Sequence, residues 1–296
     1  MYTLLGFLAV IFWSTTIALF RSLAERVGLV TAAGAMMLLS GLVGCAYLAV
    51  RGWTLGRIVR LPLAYLTGCG GLFVMCQLCL FLAIGSAANH RQVLIVGIIN
   101  YLWPGLTLVF SLPVLRRKAR PSLLPGAAMA FLGVVLAMAQ PGSFSWADLV
   151  ADLRVGWAPY LLALGAAVSW GLYSNFARKW AGQAESGAVP LFLLASGIVL
   201  AAIRPAFAEH SHWQLRAVLE LLFLALVPSL LGYVFWDVAV RKGRMMLVVS
   251  ASYVIPLLST IISCAYLRVA PGVWLWVGCA LVIGGAVICK FSVSGE

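Results

Sequence analysis

The sequence predicts an all-α, polytopic membrane protein of ten transmembrane helices built as a five-plus-five inverted repeat, and three observations predict it. Of 296 residues, 64% are hydrophobic and only 9% charged, far from the ~25% charge of a soluble domain. The charged and turn-rich positions cut the chain into ten apolar stretches, each near the ~20 residues that cross a bilayer core. Two of them share an uncommon pattern, Asn100-Tyr101-Leu102-Trp103-Pro104 and Ser252-Tyr253-Val254-Ile255-Pro256. In each, a proline frees the carbonyl of a polar residue four positions back, at a cost of about 3 kcal/mol. Lipid cannot satisfy that carbonyl, so the segment must face protein or a water-lined cavity.

The first stretch, 3–20, carries Trp13-Ser14-Thr15-Thr16 and is closed by Arg21. It lacks a basic region and a small-residue cleavage pattern, so it reads as an uncleaved span. Stretches 29–50 and 62–84 follow; the latter holds Gly68, Gly70, Gly71 and Gln77. Glycines there let helix backbones approach where hydrophobicity cannot drive association. Stretch 93–115 is the first broken one, with Gly97, Asn100, Tyr101 and Pro104 in one helical sector and Trp103 flanking it. Stretch 122–140 completes the first half.

The second half opens at 157–177 with Val-Ser-Trp170-Gly171-Leu172-Tyr173, closed by Arg178 at the same distance as Arg21 from Trp13. Stretches 189–207, 217–239, 246–267 and 271–289 follow. Trp13 and Arg21 map onto Trp170 and Arg178 at an offset of 157; Tyr101, Pro104 and Gly133 map onto Tyr253, Pro256 and Gly285 at 152. The chain therefore divides into a first repeat, 1–140, an external linker, 141–156, and a second repeat, 157–296, forming one structural unit. An odd number of spans per repeat inverts the second against the first about an axis in the membrane plane.

Basic residues set the orientation. With a cytoplasmic N-terminus, the inside connections hold thirteen Lys and Arg, among them Arg116, Arg117, Lys118, Arg178, Lys179, Arg241, Lys242 and Arg244, and the outside ones seven. Both termini are thus expected inside. The net charge of +12 is scattered between spans, which argues against a nucleic-acid partner.

All seven cysteines, Cys76-x-x-Cys79 included, lie inside apolar spans, which favours packing over disulfides, redox chemistry or zinc. No phosphate-binding G-x-x-x-x-G-K-[ST] and no H-E-x-x-H is present, and His90, His210 and His212 sit in connections. The chain is expected to be neither an ATP-driven pump nor an enzyme, with no cofactor and no metal. Glu220 and Asp237 lie near opposite ends of the eighth span, and Asp237 has Arg241 one turn on as an ion-pair partner. Without a deeper carboxylate, movement of a substrate is expected to be facilitative or only weakly proton-linked.

Paired interrupted helices point to a substrate site between them. Its candidate residues are Trp13, Thr16, Gln77, Asn100, Tyr101, Trp103, Trp170, Tyr173, Tyr233, Trp236, Ser252 and Tyr253, with Pro104 and Pro256 as hinges. Trp53, Trp157, Trp213, Trp274 and Trp276, near span ends, read as interfacial anchors. Freed carbonyls and tyrosine faces suit an ammonium, hydroxyl and amide donors a carboxylate, and tryptophans an aromatic ring.

At Trp13-Ser14-Thr15, His90-x-Gln92, Asn100 to Pro104, Ser252-Tyr253-x-x-Pro256 and the Trp236 region, the sequence resembles the aromatic amino acid exporters of the YddG type, EamA-like members of the drug/metabolite transporter superfamily. The resemblance implies a multi-pass bacterial inner-membrane protein, expected to act as a monomer. It also implies export of aromatic and other neutral amino acids by alternating access through a central cavity. A multidrug or quaternary-cation exporter would use the same aromatic cavity but wants a deep acid. A non-transporting membrane scaffold would need no polar pairs at matched positions.

Overall fold

The computed structural model describes residues 1–52, 60–88, 90–138, 156–182, 184, 187–255, 257–258 and 273–294. The expected linker, except Gly156, and Pro256 lie outside the described residues, as does Trp53. Helices α1 (Tyr2–Ser14), α2 (Thr16–Val27) and α3 (Leu29–Val50) open the chain. A π-helical turn, Ala64–Cys69, leads into α4 (Gly70–Gly85), followed by α5 (His90–Asn100), α6 (Trp103–Val114) and α7 (Leu123–Met138). The second half holds α8 (Ala158–Ala181), α9 (Val189–Ile203) and α10 (Leu215–Leu224). A second π-helical segment, Ala225–Leu231, precedes α11 (Gly232–Lys242), then come α12 (Met245–Ala251) and α13 (Val273–Ser292).

Five helical segments are long and apolar enough to cross a membrane: Leu29–Val50, Ala64–Gly85, Ile95–Val114, Val189–Ala206 and Leu215–Lys242. The bent pair Tyr2–Ser14 and Leu19–Val27, at 48°, makes a sixth. Shorter apolar helices lie at Leu123–Leu136, Met245–Val254 and Trp276–Ser292. The all-α expectation needs one amendment. Strand β1 (Lys118–Ala119) pairs antiparallel with β2 (Val293–Ser294), because the chain leaves α13 extended and Arg120 N–H donates to Ser292 O at 2.8 Å.

Local chemistry explains the breaks. Ser14 and Thr15 hydroxyls donate back to Ile11 O (2.6 Å) and Phe12 O (2.8 Å), a competition with the backbone ladder that bends helices. At Pro104 the helix breaks instead of curving: Tyr101 N–H reaches Gly97 O, Leu102 N–H only Ile99 O, and α6 restarts at Trp103. Ser252–Val254 tightens to a 3-10 turn at the matching place. Pro228, which lacks an amide hydrogen, lies inside the second π-helical segment.

Four helix pairs dominate the packing: α3 with α9, α7 with α13, α4 with α8, and α1 with α11. Glycines set the first two. A Cβ on Gly41 would meet the backbone of Leu194, and one on Gly197 the backbone of Leu38, so α3 and α9 cross antiparallel at van der Waals range. Likewise a Cβ on Gly133 would lie 2.7 Å from Gly278 O and Val282 N, and one on Gly285 2.6 Å from Gly126 O. Gly285→Ala is therefore expected to lower stability by about 1–3 kcal/mol through overpacking. Gly71→Ala, where a Cβ meets nothing within 4 Å, should be silent. Thermal melting of the detergent-solubilised protein checks both.

A carboxylate closes one end of the α3–α9 pair. Gly28 (φ 89°) turns the chain into α3. Glu209 accepts from Val30 N–H (2.7 Å), Thr31 N–H (2.9 Å) and the Thr31 hydroxyl (2.8 Å), while Arg204 donates to Thr31 Oγ1 (3.0 Å) and Glu209 O (2.7 Å). Partial burial raises the Glu209 pKa, but these hydrogen bonds and Arg204 outweigh it and leave the value lowered. A depressed folded value means stability present above the unfolded pKa and lost as pH falls through the folded one. The melting difference between parent and Glu209→Gln is thus expected to hold from neutral pH to about 5 and to shrink below the ordinary glutamate value of about 4.3. As an N-terminal cap its loss should cost about 0.5–2 kcal/mol.

Candidate functional site

The tryptophans separate cleanly by burial. Trp157, Trp213, Trp274 and Trp276 are 46–62% exposed, whereas Trp170, Trp103 and Trp236 are 5%, 6% and 0% exposed. Trp13 is partly buried and packs on the same core. These four rings come from α1, α6, α8 and α11 and meet at one centre. Trp13 lies 5.7 Å from Trp170 and 5.2 Å from Trp236, and Trp103 lies 5.2 Å from Trp236 and 6.4 Å from Trp170, centroid to centroid. Tyr233 joins at 5.4 Å from Trp13 and 5.5 Å from Trp170. These separations fall in the range where edge and offset contacts add about 0.5–1.5 kcal/mol each beyond area burial.

Several polar handles in the centre are held. Trp13 Nε1–H donates to Pro228 O at 3.0 Å, so the π-helical segment of the eighth stretch fixes the first-span ring. A Cβ on Gly232 would lie 2.8 Å from that indole nitrogen; only glycine leaves the ring its place. Trp236 Nε1–H donates to Ser174 Oγ at 3.2 Å, and Gln77 Nε2–H to the Tyr233 hydroxyl at 3.0 Å. Gln77 is 1% exposed, and its amide is spent on a partner instead of pointing at open space.

The broken helices do come together. Tyr253 is buried, and a side chain at Gly105, next to Pro104, would lie 2.9 Å from its hydroxyl. Asn100 is half-buried and Tyr101 buried, both at the break between α5 and α6. The Ser252 hydroxyl donates to Val249 O at 2.6 Å, one turn back on its own helix. Thr16 Oγ1 is buried at the α1–α2 break without a partner among the described residues.

Tyr173 makes contacts of two kinds. Its ring stacks on Trp170 at 5.0 Å and 25°, and its hydroxyl donates to Asp237 Oδ1 at 2.9 Å. Tyr65 donates to the same oxygen at 3.0 Å, and Arg241 Nε–H to Oδ2 at 2.7 Å, with the Asp237 and Arg241 side chains 1% and 0% exposed. The i,i+4 pair was legible in sequence; the tyrosines, 64 and 172 positions away, were not. Phe73 was missed as well, though it touches Trp170, Tyr173 and Tyr233 at 5.1–5.8 Å, because a lone phenylalanine in an apolar run carries no signal.

The rings of this centre touch one another at centroid separations of 5.0–6.4 Å. An apolar groove of about 550 Å³ lies elsewhere, between the third and seventh stretches, lined by Leu66, Gly70, Met75, Leu78, Leu191 and Phe192, among others. Among the described residues no group of three His, Cys, Asp or Glu could hold a metal ion.

Apolar helices of membrane length packed around a buried aromatic and polar centre define a multi-pass membrane protein of the transporter class. The chain belongs to the EamA-like transporter family, whose profile matches residues 1–139 and 157–290, and it is a transporter, not an enzyme. It is 29% identical over 289 residues to the aromatic amino acid exporter YddG of Escherichia coli (strain K12), covering 97% of this chain and 96% of that one. It is 32% identical to the protein of the same name from Ancylobacter novellus over the same shares. A solved crystal structure 29% identical to this chain matches it with a TM-score of 0.80, over 98% of this chain and 97% of that one.

Proposed function

We propose that the chain exports aromatic amino acids, together with other neutral ones, across the bacterial inner membrane, the substrate passing between the rings of Trp13, Trp103, Trp170, Tyr233 and Trp236. The observation that carries this reading is that four tryptophans from four separate helices converge in the interior, at ring contacts of 5.2–6.4 Å. Interior aromatic faces bind an aromatic side chain and an ammonium by stacking and cation–π attraction. The names of the relatives support the substrate class.

Ten spans in two inverted repeats, both termini cytoplasmic, form part of the same proposal. Its support is that close contacts come in exchanged pairs. Gly41 on Leu194 is mirrored by Leu38 on Gly197 at an offset of 156, and Gly133 on Val282 by Ala130 on Gly285 at an offset of 152. Trp13 and Trp170 are repeat mates in ring contact, and Gln77 and Tyr233, 156 apart, are bonded to each other. In that arrangement residues that touch their own mates lie on the axis, which supports an aromatic centre there. A reporter fused to either terminus should register cytoplasmic; an external signal contradicts the topology.

Flux from loaded proteoliposomes tests the substrate. Labelled phenylalanine is expected to leave down its gradient, and to do so when ionophores abolish the pH difference and membrane potential. A labelled quaternary ammonium compound is expected to stay. Efflux of the cation without phenylalanine would assign a multidrug exporter, and efflux of neither a non-transporting scaffold.

A further inference from the structure

We propose that Asp237, with Arg241, Tyr65 and Tyr173, is a charged gate closing one end of the transport path, while the repeat-related position at the opposite end is filled by Phe20 on Phe81. The inference rests on the transport reading above and goes beyond it in naming the parts that open. Asp237 gathers three side chains: Tyr65 of the third stretch, Tyr173 of the sixth and Arg241 of its own helix α11. Tyr65 also accepts from Ala188 N–H at 3.1 Å, at the entrance of the seventh, and Arg241 Nη1–H donates to Ala181 O and Ala184 O at 3.1 and 3.0 Å. The cluster thus ties the α4–α8 pair to the α1–α11 pair. One of its members, Tyr173, is stacked on Trp170 of the aromatic centre, so parting the cluster frees a wall of the site.

A bridging ion pair could serve the fold alone, and the repeat itself argues against that. Gly6 lies against Ala239, a Cβ on it 3.0 Å from Ala239 Cβ; their mates, Ala163 and Ala83 at offsets of 157 and 156, share one core cluster. The same offsets put Phe81 in the place of Asp237, Gly85 in that of Arg241, Thr16 in that of Tyr173 and Phe20 in that of Ala177. There Phe20 and Phe81 close ring on ring at 5.3 Å. The architecture therefore fills this position with uncharged side chains in one half, and taking two charges out of water in the other is not required for folding. What the charged version adds is a closure that water and polar solutes can compete for, at the end that also carries Arg178, Lys179, Lys242 and Arg244. By the positive-inside rule this end faces the cytoplasm, where cargo enters.

A single cysteine in place of Ala177, fully buried one turn from Tyr173, reports the opening in a background with the seven native cysteines replaced. Inverted membrane vesicles, with no substrate present, are treated with a membrane-impermeant maleimide. Asp237→Asn is expected to raise the labelling rate at least about fivefold, and Tyr65→Phe with Tyr173→Phe, which removes only two hydroxyls, to raise it as well should the first variant fail to fold. Glu209→Gln, which loosens the α3–α9 pair at the other end, is expected to lower the melting temperature and leave labelling unchanged. Lowered melting without faster labelling in the gate variants, or equal acceleration by Glu209→Gln, overturns the gate. Neither result depends on what is carried, so the substrate assignment stands or falls separately.

Discussion

Asp237→Ala is expected to destabilise the protein by about 3–5 kcal/mol, the cost of leaving a buried guanidinium without its counter-charge. Arg241 has no exposed surface to retreat to, and its Nε–H loses the 2.7 Å acceptor. The tyrosines would each lose an acceptor too, at about 1–3 kcal/mol for a buried hydroxyl left unmade. Removing both charges should hurt less than removing one: Asp237→Leu with Arg241→Met is expected to recover most of the loss, since well-packed apolar replacements of buried pairs are often neutral or better. Melting of the four members of this cycle in detergent checks it, and additive losses would show the pair to be uncoupled.

Trp170→Ala carries the largest expected effect on transport. The ring touches Trp13, Phe73, Trp103, Tyr173, Tyr233 and Trp236, and truncating such a core aromatic costs about 3–5 kcal/mol of stability on its own. Flux must therefore be taken per folded molecule. On that basis phenylalanine efflux is expected to drop at least about tenfold, equivalent to about 1.4 kcal/mol of barrier. Trp170→Phe should keep a measurable part of it. Trp274→Ala, at an exposed ring, should transport normally. Pro104→Ala tests the break itself: it would give Asn100 O its helical donor back, raising stability while slowing efflux.

Hydropathy made the apolar stretches legible because charge is expensive in lipid, and each described stretch carries helix. It misjudged the end of the first. The helix runs on to Val27 through Arg21, Glu25 and Arg26, where an exposed Arg21–Glu25 pair at 2.9 Å supports it beyond the apolar part. Burial of Trp170 against exposure of Trp274 and Trp276 followed from its greater distance to the stretch end, whereas Trp236, three residues from the end of its stretch, was legible only from its polar neighbours. The bond from the Ser252 hydroxyl to Val249 O was not legible, because a helical wheel gives a sector and is blind to a bond made to the carbonyl one turn back. Asp237 shows the limit most clearly: spacing reveals Arg241, but no local pattern brings Tyr65 and Tyr173 to the same oxygen. Those contacts are made by helix packing, and glycines such as Gly41 and Gly197 that set it are indistinguishable in sequence from glycines such as Gly71, where an added Cβ would meet nothing.

The most direct test of an interior aromatic site is a crystal of the protein grown with 4-iodophenylalanine, read by the anomalous signal of iodine. The iodine is expected among the rings of Trp13, Trp103, Trp170 and Trp236, within about 4–7 Å of at least two ring centroids as an aromatic contact requires, with the rings spread from their present contacts. An iodine peak confined to the apolar groove beside Leu78 and Phe192, with the four tryptophans still touching, would contradict the account.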